Sequence, residues 1–157
     1  MIDTTELLKE IQEMREDGYL SDALLRFAAR TLNEGDERFD WVGAYLYNEK
    51  DNELWLHNYL GPRTEVAKIP LGEGVAGKAA AEKAHQNVPH LEELEDYEAP
   101  GANASSELAV VIKAGDELFG VLDFNSMEPE AFTDEDVSAI SMVAEKLAEQ
   151  FVAERRQ

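Results

Sequence analysis

The sequence predicts an α+β domain: an antiparallel central sheet with the N- and C-terminal helices packed on one face and a ligand pocket on the other. Three observations carry this expectation. Two pairs of alternating apolar segments are each joined by a short turn, which makes hairpins rather than parallel crossovers. Apolar residues recur at three- and four-residue steps near both chain ends, the stripe of an amphipathic helix. Several strands also divide by parity into one apolar face and one face that mixes aromatics, small residues and acids. The one connection resembling a crossover is a short helix, so a doubly wound parallel sheet is disfavoured.

The elements follow in order. Thr4 or Thr5 can cap a first helix over about 4–17, with Leu7, Leu8, Ile11 and Met14 on its apolar side and Gly18 as its stop. Ser21 can cap a second, whose stripe is Leu24, Leu25, Ala28, Ala29 and Leu32, with Gly35 beyond its end. Trp41–Tyr47 and Glu53–Leu60 then read as strands joined by a turn at Asn48–Asn52. A short strand around Val66–Ile69 leads into the glycine turn Leu71–Gly77 and an alanine-rich helix over 78–83. Residues 87–105 read as irregular, acidic and turn-rich, with Pro89, Pro100, Gly101 and Asn103. Glu107–Lys113 and Glu117–Asn125 form a second hairpin through Ala114, Gly115 and Asp116. Thr133 caps the last helix, with Asp136 as the shortened capping-box acid. Its apolar positions are Val137, Ile140, Ala144, Leu147 and Phe151, and Arg155 and Arg156 suit the negative end of its dipole. No repeat or linker divides the chain, so 1–157 is one domain with a core over about 20–150.

Composition narrows the function. Thirty-four acidic residues against fourteen basic ones leave a net charge of −20, spread along the whole chain. Such a field repels nucleic acid and anionic membrane, so neither is expected as a partner. Dispersed acid of this kind fits a halophilic source, where salt screens the self-repulsion. The chain has no cysteine, which removes disulfides, thiolate metal sites, thioether-linked chromophores and cysteine nucleophiles. No leader of charged then apolar residues opens it, and no apolar run nears the roughly 18 residues of a membrane span, so a cytoplasmic location is expected. His57, His85 and His90 lie in different elements without ligand spacing, so no metal or other cofactor is expected.

Strand parity places the polar residues. Val42, Ala44 and Leu46 oppose Trp41, Gly43, Tyr45 and Tyr47; Leu108, Val110 and Ile112 oppose Glu107, Ala109, Val111 and Lys113. In the last strand Leu118, Gly120, Leu122 and Phe124 oppose Phe119, Val121, Asp123 and Asn125. The first set in each strand should meet the terminal helices. The second gathers Trp41, Tyr45, Glu107, Asp123 and Asn125, an apolar surface with a few convergent polar groups, as small-molecule pockets have. Were that face only half covered, Glu107 and Asp123 would be solvated strand-end acids; its density of aromatics argues for a pocket.

Gly72–Gly77 also spells G-x-G-x-x-G. A dinucleotide site needs a following parallel strand with an acid at its end, whereas Glu92, Glu93 and Glu95 fall in an irregular loop. Glu73 within the turn would repel a pyrophosphate. The run reads instead as the turn that sets a helix over the pocket.

Trp41–Tyr47, Leu60-Gly61-Pro62, Ile69–Gly77, Ser105–Leu108 and Gly120–Ser126 together resemble the GAF domain, and more narrowly its free methionine-(R)-sulfoxide reductase branch, over about 20–150. That resemblance implies a GAF/PAS-like sheet and an amino-acid site. Its aromatic pair and acids would fall on Trp41, Tyr45, Glu107 and Asp123, with Asn125 where a second aspartate is usual. Two of the family's three cysteines would fall at Val66 and Ala76; the third belongs near Pro100–Ala104, where the loop looks shortened. All three are missing. The signature of cyclic-nucleotide GAF domains is not met either, since Asn48-Glu49-Lys50 and Phe132–Glu135 have the wrong spacing.

Sulfoxide reduction in that branch runs through a thiolate, a sulfenic acid and a disulfide, and no residue of this chain can take those roles. No catalytic residue is therefore assigned. The expected function is non-enzymatic binding of a small zwitterionic ligand, such as methionine or its sulfoxide: Trp41 and Tyr45 line the apolar part, while Glu107 and Asp123 hold the ammonium. A divergent reductase and a ligand-free interaction module are the alternatives. The apolar stripes at both chain ends suggest a homodimer through the terminal helices.

Overall fold

A computed structural model describes residues 2–155. The elements are α1 (Thr5–Glu16), α2 (Ser21–Gly35), β1 (Trp41–Asn48), β2 (Glu53–Leu60), β3 (Lys68–Pro70), α3 (Gly74–Glu82), β4 (Gln86–Val88), β5 (Ser106–Ala114), β6 (Glu117–Ser126) and α4 (Asp134–Arg155). The six strands form one sheet in the order β3-β2-β1-β6-β5-β4, and every pairing is antiparallel. The two hairpins are β1–β2 and β5–β6, the second turning at Gly115 with φ 59°, where a side chain would be strained. Pairing of β6 with β1 joins the hairpins, so Trp41, Tyr45, Glu107, Asp123 and Asn125 all lie on interior strands of the sheet.

One face of this sheet meets α2 and α4, and α1 packs on those two helices. Val42, Ala44, Leu108, Val110, Ile112, Leu122 and Phe124 are buried there against Leu24, Leu25, Ile140, Val143 and Leu147. On the other face α3 packs Val75, Ala76, Ala79 and Ala80 near Tyr45, Val111 and Val121. Three alanines let this helix lie close to the strands, which closes the second core without large side chains. The α+β architecture with terminal helices on one face is thus observed.

Several local expectations are corrected. Thr4 precedes α1 but makes no cap; its hydroxyl donates to Ala139 O at 3.2 Å, and Asp3 accepts from Thr5 N–H instead. Ser21 begins α2 rather than capping it, because its N–H and hydroxyl both donate to Glu154. Gly35 is the last residue of that helix, not the one beyond it. The third strand starts two residues later than expected, at Lys68, where pairing with Glu53–Trp55 begins. Overlapping the start of the stretch read as irregular, Gln86–Val88 pairs with Leu108 and its neighbours as β4, a strand too short and polar to show periodicity. Parity fails at Leu118 and Phe119. A register shift between Ile112 and Lys113 turns Leu118 toward α3 and leaves Phe119 packed on the helical side.

The capping box on α4 is present: Thr133 N–H donates to Asp136 at 2.9 Å and Asp136 N–H to Thr133 Oγ1 at 3.1 Å. Arg155 pairs with Glu117, whereas Arg156 lies outside the described residues. No helix among the described residues is long and apolar enough to cross a membrane.

Candidate functional site

Strand register builds the site row by row. Trp41, Asn125 and Glu107 align across β1, β6 and β5; Gly43, Asp123 and Ala109 form the next row, and Tyr45, Val121 and Val111 the one after. All nine lie on the face covered by α3, so Asp123 rises between a glycine and an alanine with larger residues on either side. The Trp41 indole leans over Gly43, which has no Cβ to block it, and stacks on Tyr59 at 5.6 Å. A Cβ on Gly101 would come within 2.9 Å of Trp41 Cβ and 2.7 Å of Asn125 Cβ, so the loop backbone rests directly on this row.

Trp41, Tyr45, Glu107 and Asp123 have no exposed surface, and Asn125 only 1%. That excludes solvated strand-end acids. Glu107 Oε1 accepts the Tyr97 hydroxyl at 2.6 Å, and Asp123 Oδ2 accepts the Asn125 amide at 3.0 Å. Asn125 Oδ1 takes Gly101 N–H at 3.3 Å, and Tyr45 donates to Val66 O at 2.8 Å. Three polar atoms remain: Glu107 Oε2, Asp123 Oδ1 and Trp41 Nε1 are buried and receive no partner from elsewhere among the described residues. The two carboxyls can satisfy each other only by sharing a proton.

Electrostatics agrees. Burial pushes Glu107 above the usual carboxylate range, although hydrogen bonds from Asp123 and Tyr97 pull it back. Asp123 is raised well above that range by burial, then by the charge of Glu107 and the hydrogen bond with it, against a lowering by Asn125. Burial likewise raises the Tyr45 and Tyr97 phenols, with both acids adding to it, so neither ionises at neutral pH.

Above these rows lies an outer cavity of about 440 Å³, lined by Ile69, Gly74, Val75 and Tyr97 among others, with Lys68, Glu73, Asp96 and Glu98 at its edge. Val66 and Ala76, where the resemblance would place thiols, line this same cavity. The glycine turn and the 87–105 loop together roof the polar face.

Parity thus gathers all five expected residues on one face, but not in equal roles. Asn125 spends both ends of its amide on Gly101 and Asp123, and Tyr45 spends its hydroxyl on Val66. Tyr97 was missed. Its signal was a lone aromatic within the acidic run Glu92–Glu98, a residue type out of place in a solvated loop. The histidines do not converge: His57 meets Asp22, His85 accepts from Val111 N–H, and His90 faces Glu92 and Glu130. Among the described residues no group of three or more His, Asp or Glu side chains is placed to hold a metal ion.

Gly43→Ala tests the bed of the indole. The added methyl overlaps the six-membered ring of Trp41, so the ring must leave its place. A loss of about 1–3 kcal/mol is expected in urea unfolding, with a shift of Trp41 emission in a Trp55→Phe background. Unchanged emission would remove this account of Gly43.

Comparison with known proteins bears on the whole chain. The family model for the GAF domain matches residues 20–149. Protein YtsP of Bacillus subtilis is 29% identical over 141 residues, covering 90% of this chain and 86% of that protein. The free methionine-R-sulfoxide reductase of Escherichia coli is 30% identical over 125 residues, covering 80% and 74%. Among solved structures, free methionine-R-sulfoxide reductase of Neisseria meningitidis in complex with its substrate superposes with a TM-score of 0.85 at 30% identity, over 95% of this chain and 88% of that one.

Proposed function

The chain belongs to the GAF domain family, and from that premise we propose that it binds a small zwitterion of the methionine type beside Trp41, without thiol chemistry of its own. One observation carries this reading: three buried polar atoms on a single face, one indole donor and two carboxyl oxygens, without partners elsewhere among the described residues. A zwitterion supplies what they lack. Its ammonium donates to Glu107 and Asp123, and a carboxylate or sulfoxide oxygen accepts from Trp41 Nε1. Tyr45, Ala109 and Val121 offer apolar contact to a side chain. Titration calorimetry against methionine, its sulfoxide and other free amino acids tests the reading; absence of heat with all of them removes it.

The pair of acids sets a pH dependence. An ammonium favours both carboxyls ionised, but burial keeps a proton on the pair, so binding must release it. Affinity is expected to rise as pH rises from about 4 toward neutrality. Calorimetry in buffers of different ionisation heat should show proton release; uptake of a proton would contradict ammonium binding by these acids.

The relatives' names favour a second reading, a reductase. Reduction of a sulfoxide needs two electrons and a group to take the oxygen, which thiols supply in the resembling branch and this chain does not contain. Turnover of free methionine sulfoxide with added dithiol separates the two readings. None is expected.

A further inference from the structure

Tyr97 belongs to both compartments. Its ring lines the outer cavity, and its hydroxyl reaches the buried acids, donating to Glu107 Oε1 at 2.6 Å. The first turn of α3 is shaped to receive that ring. Gly74 has φ 65°, and a Cβ there would come within 2.7 Å of Tyr97 Cε1. Behind the ring, Trp41, Glu107 and Asp123 have no exposed surface, so the site cannot load as it stands. Elsewhere it is walled by paired central strands and by α3. The segment holding Tyr97 is the weakest wall. Residues 92–96 are exposed, and the loop is tied to β6 by the long 3.3 Å bond from Gly101 N–H to Asn125 and by Ser105 N–H to Ser126 O.

We propose that Tyr97 is a gate and selector: its phenol is bonded to the same carboxyl, Glu107, that a ligand's ammonium takes, and loading requires the ring to swing toward the outer cavity and break that bond. This rests on the zwitterion reading for the ligand, but not for the gate itself. The selection is chemical. An entering molecule must replace a phenol O–H with a donor at least as strong, which an ammonium is and a thioether, ester or hydrocarbon is not.

Hydrogen exchange of the Trp41 indole N–H tests the gate with water as the probe. That proton is buried without a partner, so it exchanges only when the site opens. Trp55 is the other tryptophan, exposed and bonded to Glu53, and Trp55→Phe identifies its resonance. Tyr97→Phe keeps the ring and removes the latch. It is expected to speed Trp41 exchange about tenfold, the worth of one hydrogen bond to an acid, while the Val110 amide in the centre of β5 keeps its rate. Equal rates in parent and variant, acceleration only in step with Val110, or parent exchange as fast as that of Trp55 would each overturn the gate. Methionine sulfoxide is titrated in parallel. An apparent Kd about tenfold lower in Tyr97→Phe supports gate and ligand together. Faster exchange with no binding in either protein keeps the gate and removes the ligand reading; binding without faster exchange does the reverse.

Discussion

Glu107→Gln is expected to weaken binding of methionine-type ligands strongly and, at the same time, to stabilise the ligand-free protein at neutral pH. Both effects come from one carboxyl. Glutamine keeps the oxygen that accepts the Tyr97 hydroxyl and replaces the other with an amide, which donates to Asp123. The pair then needs no shared proton, and one buried acid is gone. Removing one member of a buried charged contact costs about 2–5 kcal/mol of binding, so affinity should fall at least about thirtyfold.

Stability moves the other way. Burial raises both acids, so between the ordinary carboxylate range and their raised values the folded protein holds more protons than the unfolded chain. The pair's contribution to stability is therefore complete at low pH and is lost as pH rises through the raised values. Glu107→Gln should melt higher than the parent near pH 7 and converge with it near pH 4, where all carboxyls are protonating. A gain of about 1–4 kcal/mol is the range for replacing buried ionic groups, equivalent to about 2–4 °C for each kcal/mol in a chain of this size. The parent–variant difference is the quantity to read, because the −20 charge also makes overall stability pH-dependent. A variant that melts below the parent at every pH would mean that Glu107 serves the fold rather than a ligand.

That the site could be found from the sequence is a consequence of period two. Trp41, Tyr45, Glu107, Asp123 and Asn125 lie on strand stretches whose β1–β6 and β5–β6 pairings run without a bulge, so alternation assigns their face correctly. One residue past a register shift, at Leu118 and Phe119, the same rule inverts. Alternation names a face but cannot say what covers it. Closure depends on Tyr97, Gly74 and Gly101, contacts between a loop and elements distant in sequence, which local pattern does not encode. The caps of α1 and α2 failed for a related reason: Thr4 and Ser21 had partners on α4, more than a hundred residues away, that outcompeted their own helices.

Arg38→Met is expected to cause a large loss of stability from outside the site, about 3–5 kcal/mol. Asp136 has no exposed surface, and Arg38 grips both of its oxygens, at 2.7 and 3.1 Å. The same guanidinium binds Asp36 and donates to Ala131 O, while Asp136 also takes Ile2 N–H and Thr133 N–H. One cation thereby fastens the N-terminal segment, the turn before β1 and the start of α4. Burial alone would raise Asp136, but the hydrogen bonds from Arg38, Thr133 and Ile2 outweigh it and hold the carboxyl well below its usual range. Methionine fills much of the stem's volume and takes the guanidinium away from a buried carboxylate, a change that costs about 3–5 kcal/mol. With Arg38 present, Asp136 contributes stability above the unfolded aspartate range and loses it as pH falls through its lowered value. The difference between parent and variant should then be widest at neutral pH and shrink as Asp136 protonates below about pH 4. Molar salt should leave most of it intact, since the contact is largely withdrawn from solvent. Exposed pairs such as Arg26–Asp22 should lose their small contribution under the same conditions. Urea unfolding across pH at low and molar salt reads both dependences. A loss below about 1 kcal/mol, the level of a surface pair, or one that is equal at all pH values, would show that Arg38 is not what keeps Asp136 ionised within the fold.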